Sequence, residues 1–355
     1  MERQEKPQFI AFLHGFRGVA ILAIMAAHAW SILGYVSAAE VANPDYLWLR
    51  AATESLFHGT TIFFALISGI LATRVLRGTP WKKFFRNKLT NVILPYIAIS
   101  ALFTALSWPD TLAYFRTHGI HYPFPTVLAW NIVSGQAYFH LWYIPVLTIL
   151  FLLTPLLTWL LTPGRGIALL ALAALPLVVS RTGEPDFLSV QTVVYFLGAY
   201  ALGMYLGDRL EAMLAAVRTW RAQLWLLFAL SLAVNFLLFR WQYVPGGFVS
   251  LQETVVYLNK VSASLLLLHF LYVRGDRLPA SLLTLGTYAF SLYFLHADIF
   301  WRLATLSARL DPHPGTIAVA GEGALIYLIG VTLALLLCMG LRRLLGRYSR
   351  MVIGA

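Results

Sequence analysis

Ten long apolar runs recur along the 355-residue chain, and they constrain its fold more than any other feature. Allowing a few residues of error at each end, each run can cross the hydrocarbon core of a bilayer as a helix. Hydrophobic residues make up 59% of the sequence and charged residues 12%, against roughly 45–50% and about 25% in ordinary soluble domains. We therefore predict an all-α polytopic membrane helix bundle of about ten transmembrane helices, forming one domain over residues 1–355 with no soluble C-terminal domain. The predicted spans are residues 10–34, 56–73, 91–108, 140–161, 166–180, 190–207, 222–240, 251–272, 282–303 and 317–341.

The distribution of basic residues predicts how the bundle is oriented. Segment 74–90 contains six Lys or Arg and no acid, and connections of this kind stay in the cytoplasm. Counted from that anchor, nineteen of the 26 basic residues fall on the cytoplasmic side and six on the other, with Lys260 left mid-span. Both termini are therefore predicted to be cytoplasmic, in a multi-pass protein of the inner (cytoplasmic) membrane. On the outer side, segment 109–139 is the longest connection, and its residues 126–133 could form an interfacial helix or a partial re-entry into the membrane.

The net charge of +11 does not indicate a nucleic-acid partner, because the basic residues alternate with apolar runs and never form a solvated basic domain. Their distribution favours contact with anionic membrane lipid or an anionic ligand. The one cysteine, Cys338, lies in a Leu-rich run, so an intrachain disulfide is impossible and a packing role is expected.

The first apolar run carries a cation near its start and an imidazole in its middle. Arg17 and His28 are eleven residues apart, almost three helical turns, so they share one face about 16 Å apart along the axis. A spanning helix then places Arg17 at the water boundary and His28 near the mid-plane. Both positions cost free energy, and ionisable residues inside a membrane are candidates for function.

The second apolar run and the cytoplasmic connection after it offer further candidates. In the second run, Ser68 and Gly69 are small enough for a neighbouring backbone to approach closely. In the connection, Arg86 and Lys88 are the last cations before the third span, near the depth predicted for Arg17. Such a ring of positive charge suits a phosphorylated ligand, although the topology of the chain explains these cations equally well.

Two later spans also contain ionisable residues. Glu253 and Lys260 are seven residues apart, two turns along one helix face, which favours an intramembrane ion pair bridged by water or by other polar groups. His296 is the second imidazole inside a span, followed by Asp298 and Arg302 at an i,i+4 spacing. His140, at the start of the fourth span, is a weaker candidate because an interfacial histidine is more often only solvated.

Four motifs, in this order along the chain, resemble the acyltransferase-3 family of integral-membrane O-acyltransferases. They are the Arg17 to His28 spacing, Phe63-Phe64 followed by Ser68-Gly69, Leu141-Trp142-Tyr143-Ile144-Pro145, and Ser291-Leu292-Tyr293-Phe294-Leu295-His296. The basic pair of the family corresponds here to Arg86 and Lys88. The motifs extend from residue 12 to residue 296, so the resemblance covers nearly the whole chain.

The resemblance implies a transferase that moves an acyl group, often acetyl, from cytoplasmic acyl-CoA to a hydroxyl of a carbohydrate or glycosylated acceptor. On this basis we expect Arg17, Arg86, Lys88 and Ser68 to bind the donor and His28 to act as general base, with His296 or Glu253 orienting it or relaying the proton. No metal is expected, and the oligomeric state stays open.

Two alternatives belong to other functional classes. A transporter or flippase for a lipid-linked saccharide would also carry buried charges along its substrate pathway. A non-catalytic membrane scaffold gives no reason for a histidine at the mid-plane.

Overall fold

The computed structural model describes residues 10–37, 45–74, 78–162, 165–181, 188–243, 249–311 and 315–355, and these residues contain helices and no strands. Those helices, in chain order, are α1 (Ala11–Val36), α2 (Tyr46–Phe57), α3 (Thr61–Arg74), α4 (Trp81–Lys88), α5 (Leu94–His118), α6 (Phe124–Ser134), α7 (Tyr143–Leu160), α8 (Gly166–Ala174), α9 (Val190–Asp208), α10 (Leu210–Thr219), α11 (Arg221–Arg240), α12 (Leu251–Arg274), α13 (Ala280–Thr287), α14 (Ala289–Leu310), α15 (Thr316–Leu345) and α16 (Ser349–Val352). The all-α polytopic bundle predicted from the sequence is confirmed.

Eight helical stretches of the described chain are long and apolar enough to cross a membrane. Two further predicted spans are also helical but differ from these eight. The run at 166–180 forms an apolar helix of only Gly166–Leu177, and α14 has 22 residues but carries Asp298 and Arg302. The number of crossings and the side of each terminus therefore stay predictions. Residues 126–133 are helical as part of α6, and their position relative to the membrane stays a prediction.

A π-helical turn, Leu89–Ile93, joins α4 to α5 at the cytoplasmic end of the third predicted span. Pro95 lies two residues after the turn. Because proline has no N–H and its ring crowds the carbonyl four residues earlier, the regular pattern of helical hydrogen bonds cannot continue there. The turn leaves Lys88 and Asn91 beside a cavity. The regular α-helix is thus interrupted just before Pro95.

Helices α3 and α9 pack with their backbones in near contact. A Cβ atom added to Gly69 would lie 2.2 Å from the carbonyl oxygen of Tyr200, and one added to Gly203 would lie 2.1 Å from that of Leu66. Only glycine allows this approach. The close packing predicted at Gly69 is confirmed, and it holds Ser68, which is 7% exposed, at the wall of the same cavity.

Helices α1 and α14 pack side by side and run in the same direction. The guanidinium carbon of Arg17 lies 5.9 Å from the centroid of the Phe290 ring near the start of both helices. Farther along, the ring centroids of His28 and His296 are 5.2 Å apart. The two predicted imidazoles therefore meet because two distant segments of the chain are parallel neighbours.

Candidate active site

Three histidines from separate parts of the chain form one group, which we call the histidine cluster: His28 on α1, His140 before α7, and His296 on α14. The ring centroids of His28 and His296 are 5.2 Å apart, those of His140 and His296 are 5.0 Å apart, and those of His28 and His140 are 6.4 Å apart. His140 is 2% exposed and His296 is fully buried, whereas His28 is half-buried. The sequence pointed to His28 and His296; it underrated His140, which is buried and not solvated.

The hydrogen bonds of His296 indicate which ring nitrogen carries its proton. Nδ1 lies 2.9 Å from the carbonyl oxygen of Leu292 and 2.9 Å from that of Tyr293. A carbonyl oxygen only accepts, so the network assigns the proton to Nδ1 and leaves a lone pair on Nε2. Nε2 is buried and has no hydrogen-bond partner among the described residues. It is therefore available to accept a proton or a hydrogen bond from a reacting group.

His140 is positioned through its backbone. Its carbonyl oxygen accepts a hydrogen bond from the hydroxyl of Tyr293, while neither of its buried ring nitrogens has a hydrogen-bond partner in the described part of the chain. A buried polar atom left unpaired costs about 1–3 kcal/mol. An unpaired buried group in a native structure calls for an explanation, and a catalytic role is one of them.

A cavity of about 500 Å³ lies near the starts of α1 and α14, and we call it the cationic cavity. Four basic side chains line it, and none of its lining residues is Asp or Glu. None of the four forms a salt bridge within the described residues. Four basic side chains that meet with no Asp or Glu side chain among them favour an anion in this cavity. The four basic residues are Arg17, Lys88, Arg342 and Arg350.

Three of the residues predicted to bind the donor meet in this cavity: Arg17, Ser68 and Lys88. The Lys88 ammonium also lies 4.2 Å from the centroid of the Phe151 ring, so an aromatic face holds its position. Arg86 is not part of the cavity lining and its side chain is exposed. Two residues correspond to about 200° around an α-helix, so Arg86 and Lys88 point to nearly opposite sides of α4. The structure gives no support for Arg86 at the donor site.

Aromatic side chains lie between the cationic cavity and the histidine cluster. Phe64 lines the cavity, and its ring centroid is 6.3 Å from that of Tyr293. The Tyr293 ring in turn lies 5.3 Å from that of His140 and 6.2 Å from that of His296. The buried rings of Phe64 and Tyr293 therefore connect the wall of the cavity to the histidine cluster.

On the other side of the cluster is a groove of about 510 Å³, which we call the outer groove. It begins one turn beyond His28 on α1, and the Phe139 ring on its wall is 5.2 Å from the His28 ring. The predicted i,i+4 pair is confirmed on the neighbouring part of α14, where Arg302 Nε donates to Asp298 Oδ2 at 2.7 Å. The groove is lined by Ser31, Ile32, Tyr35, Tyr138, Phe139 and Trp301.

Glu253, the third predicted catalytic residue, belongs to a different network. Its Oε2 accepts a hydrogen bond from Arg181 Nε at 3.0 Å, and its side chain is 2% exposed. Arg181 also lies 3.4 Å from His58, which pairs with Glu54 at 3.0 Å. None of these contacts involves the histidine cluster, so the geometry favours a structural role for Glu253.

The expected ion pair between Glu253 and Lys260 is wrong. Lys260 Nζ donates instead to the carbonyl oxygens of Leu56, at 2.8 Å, and Ser55, at 3.3 Å, and to Asn259 Oδ1 at 3.0 Å. The two carbonyls belong to the last turn of α2, where intrahelical partners are missing and a cation is favourable. Lys260 therefore caps the C-terminal end of α2.

In the part of the chain that the structure describes, no three His, Cys, Asp or Glu residues converge in an arrangement that could hold a metal ion.

The fold and the site together define a multi-pass membrane protein with a buried histidine cluster and a cavity lined by four basic side chains. A family model described as an acyltransferase domain, that of the acyltransferase-3 family, matches residues 10–343, nearly the whole chain. The protein belongs to the acyltransferase-3 family, and it is a membrane enzyme that transfers acyl groups. Searches of curated proteins and of solved structures return no significant match.

Proposed function

We propose that this protein transfers an acyl group, acetyl in the simplest case, from cytoplasmic acyl-CoA to a hydroxyl of a carbohydrate or glycosylated acceptor. The main support is the position of His28, which lies on α1 between the cationic cavity and the outer groove. The helix carries Arg17 about 16 Å away on the same face, where Arg17 lines the cavity. A donor held by its charged end can thus direct its thioester toward the imidazole.

The donor end of the reaction relies on Arg17 and Lys88. Arginine offers forked hydrogen bonds to phosphate oxygens and lysine a compact charge, so the pair suits the diphosphate of acyl-CoA. Ser68, at the same wall, supplies a hydroxyl. The uncharged pantetheine arm then extends past the aromatic rings of Phe64 and Tyr293, an environment that an uncharged chain tolerates and a phosphate does not.

The chemistry requires one base and one leaving group. His28, in its uncharged form, takes the proton from the acceptor hydroxyl as the oxygen attacks the thioester carbonyl. The tetrahedral intermediate then breaks its carbon–sulfur bond, and the proton on His28 passes to the departing CoA sulfur. The products are an ester and the CoA thiol, and the imidazole returns to its starting form. His296, with its free Nε2 beside the His28 ring, is placed to stabilise the imidazolium.

The acceptor is assigned to the outer groove, where a hydroxyl can reach His28 from the side opposite the cavity. The groove is aromatic and has an ion pair close by, which favours an acceptor with an apolar face and hydroxyl groups. A carbohydrate or glycoconjugate has both properties.

The test is acetyl-CoA turnover by detergent-purified protein with a panel of saccharide acceptors. His28→Ala is expected to lower kcat by about 10²–10⁴-fold, the usual contribution of a general base, while CoA binding is retained. Arg17→Ala is expected to raise the KM for acetyl-CoA. His118→Ala, at an exposed histidine outside the cluster, is the matched control and should retain full activity. Wild-type rates in a well-folded His28→Ala protein would refute the mechanism.

The same assay separates the enzyme from a flippase. Detergent micelles have no second compartment, so transport cannot be read out there, whereas acyl transfer can. Acylated product formed in micelles supports the transferase and excludes a protein that only moves a lipid-linked saccharide.

A further inference from the structure

The chain folds back on the bundle after α15. A 3-10 turn, Gly346–Tyr348, begins with Gly346 at φ 53°, a left-handed conformation that favours glycine. Helix α16 follows and contacts the π-helical turn and α5. Ile353 is 2% exposed, and Gly354 lines the cationic cavity. Residues 346–355, which we call the C-terminal segment, therefore form one wall of that cavity.

Two arginines flanking the turn point into the cavity. Arg342 lies in the last turn of α15 and Arg350 on α16, and both line the cavity. Arg342 is held there by Tyr288, because its Nη1 donates to the Tyr288 hydroxyl at 3.3 Å and its guanidinium carbon is 5.5 Å from that ring. Neither arginine has a carboxylate partner within the described residues.

Two other arginines in the same stretch behave differently. Arg343 and Arg347 are exposed and do not line the cavity, and Arg347 donates instead to the hydroxyl of its neighbour Tyr348 at 2.7 Å. Basic residues that serve only to fix the membrane topology need to lie on the cytoplasmic side, but their side chains need not point toward any particular part of the protein. The inward placement of Arg342 and Arg350 therefore needs a separate explanation.

We infer that Arg342 and Arg350 bind the phosphates of the nucleotide half of acyl-CoA, so that the C-terminal segment forms part of the donor site. This inference rests on the proposed function, since it takes acyl-CoA as the donor. Acyl-CoA carries its charge at one end, on a 3′-phosphorylated ADP, and an uncharged arm at the other. The basic residues of the cavity lie at two depths, which match these two parts of the donor.

The exposure of the four basic side chains shows these two depths. Arg17 and Lys88 are half-buried, whereas Arg342 and Arg350 are exposed. The deeper pair meets the diphosphate from which the pantetheine arm extends. The exposed pair lies at the mouth, where a nucleotide and its 3′-phosphate can stay partly hydrated, and guanidinium groups bind phosphate through paired hydrogen bonds.

The anion at the mouth has one other source, the phosphate of a lipid headgroup, and the experiment separates the two. Coenzyme A, pantetheine and adenosine 3′,5′-bisphosphate are titrated calorimetrically into the full-length protein in a neutral detergent, and phosphatidylglycerol is then added as a competitor. The proteins are wild type, the double variant Arg342→Ala/Arg350→Ala, and the matched control Arg343→Ala/Arg347→Ala. Acetyl-CoA turnover, with its KM, is measured in parallel on all three proteins.

The double variant Arg342→Ala/Arg350→Ala is expected to raise the Kd for coenzyme A and for adenosine 3′,5′-bisphosphate by about tenfold or more, because it loses charge-assisted hydrogen bonds to phosphate. The control double variant Arg343→Ala/Arg347→Ala should change neither Kd. Pantetheine, which has no phosphate, should bind all three proteins with the same Kd. Equal effects of the two double variants would overturn the inference. The inference would also be overturned if the Arg342→Ala/Arg350→Ala variant lost pantetheine binding as strongly as coenzyme A binding. It would likewise be overturned if that variant lost only the competition by phosphatidylglycerol and bound coenzyme A as the wild type does.

The outcomes also separate this inference from the proposed function. Coenzyme A binding that depends on Arg342 and Arg350, in a protein that forms no acylated product, would remove the proposed reaction and keep the nucleotide site. Turnover of acetyl-CoA with the same KM in the wild type and in Arg342→Ala/Arg350→Ala would keep the proposed reaction and remove the nucleotide site.

Discussion

Replacing Glu253 tests whether this buried acid supports the fold or the chemistry. Its carboxylate is 2% exposed and pairs at 3.0 Å with Arg181, whose side chain is 14% exposed. Removing one partner of a buried ion pair costs about 3–5 kcal/mol, because the remaining charge is left unpaired. Arg181 keeps some solvent contact and lies 3.4 Å from His58, so we expect the lower end of that range. At 1.4 kcal/mol per factor of ten, about 3 kcal/mol lowers the ratio of folded to unfolded protein about 100-fold.

The assay follows thermal unfolding of detergent-purified Glu253→Gln and acyl transfer per folded molecule. Glutamine keeps the shape but removes the charge, so the Tm should fall clearly while kcat per folded molecule stays within about twofold of wild type. A double variant with Arg181→Met and Glu253→Leu, which replaces both charges with apolar groups, should recover most of the lost stability.

One result would refute this reasoning. If Glu253→Gln unfolds at the wild-type temperature but loses acyl transfer, then the carboxylate acts in the reaction, as the sequence alone suggested, and the network through Arg181 is not its main role.

Four further variants test the site and the packing beneath it. His140→Ala should lower kcat by at least tenfold without changing the KM for acetyl-CoA, measured by steady-state kinetics, because His140 lies in the cluster and not in the cavity; a change in KM alone would contradict this. Lys88→Ala should raise that KM several-fold while Arg86→Ala leaves it unchanged, since only Lys88 lines the cavity, and equal effects would show that both contact the donor. Gly69→Ala should lower the Tm by several degrees, because a Cβ 2.2 Å from the Tyr200 carbonyl forces α3 and α9 apart; an unchanged Tm would mean that the helices separate at little cost.

Much of the site was predictable because its signals are local. Arg17 and His28 lie on one helix, so their spacing alone sets their relative position. Gly69 indicates close packing wherever its helix finds a neighbour. His140 lacked such a signal: it precedes α7 in an aromatic stretch, where a solvated residue and a buried one look alike until the rest of the bundle surrounds it.

The roles of the cations show the same limit. Six Lys or Arg in segment 74–90 predict the same topology whichever way each side chain points. Which of them meets an anion depends on helix rotation, and α4 turns Lys88 into the cavity and Arg86 away from it. The misassigned partner of Glu253 has a similar cause, because spacing along one helix says nothing about an arginine 72 residues earlier in the chain.

The amino-acid sequence by itself determined that this chain is an all-α membrane bundle of the acyltransferase-3 family, since apolar run length and short motifs are properties of contiguous residues. Only the tertiary structure decided that three histidines meet, that Glu253 belongs with Arg181, and that Arg342 and Arg350 complete the cationic cavity. Those contacts join segments far apart in the chain. Their geometry is set by how the helices pack and rotate against one another, and no local pattern records it.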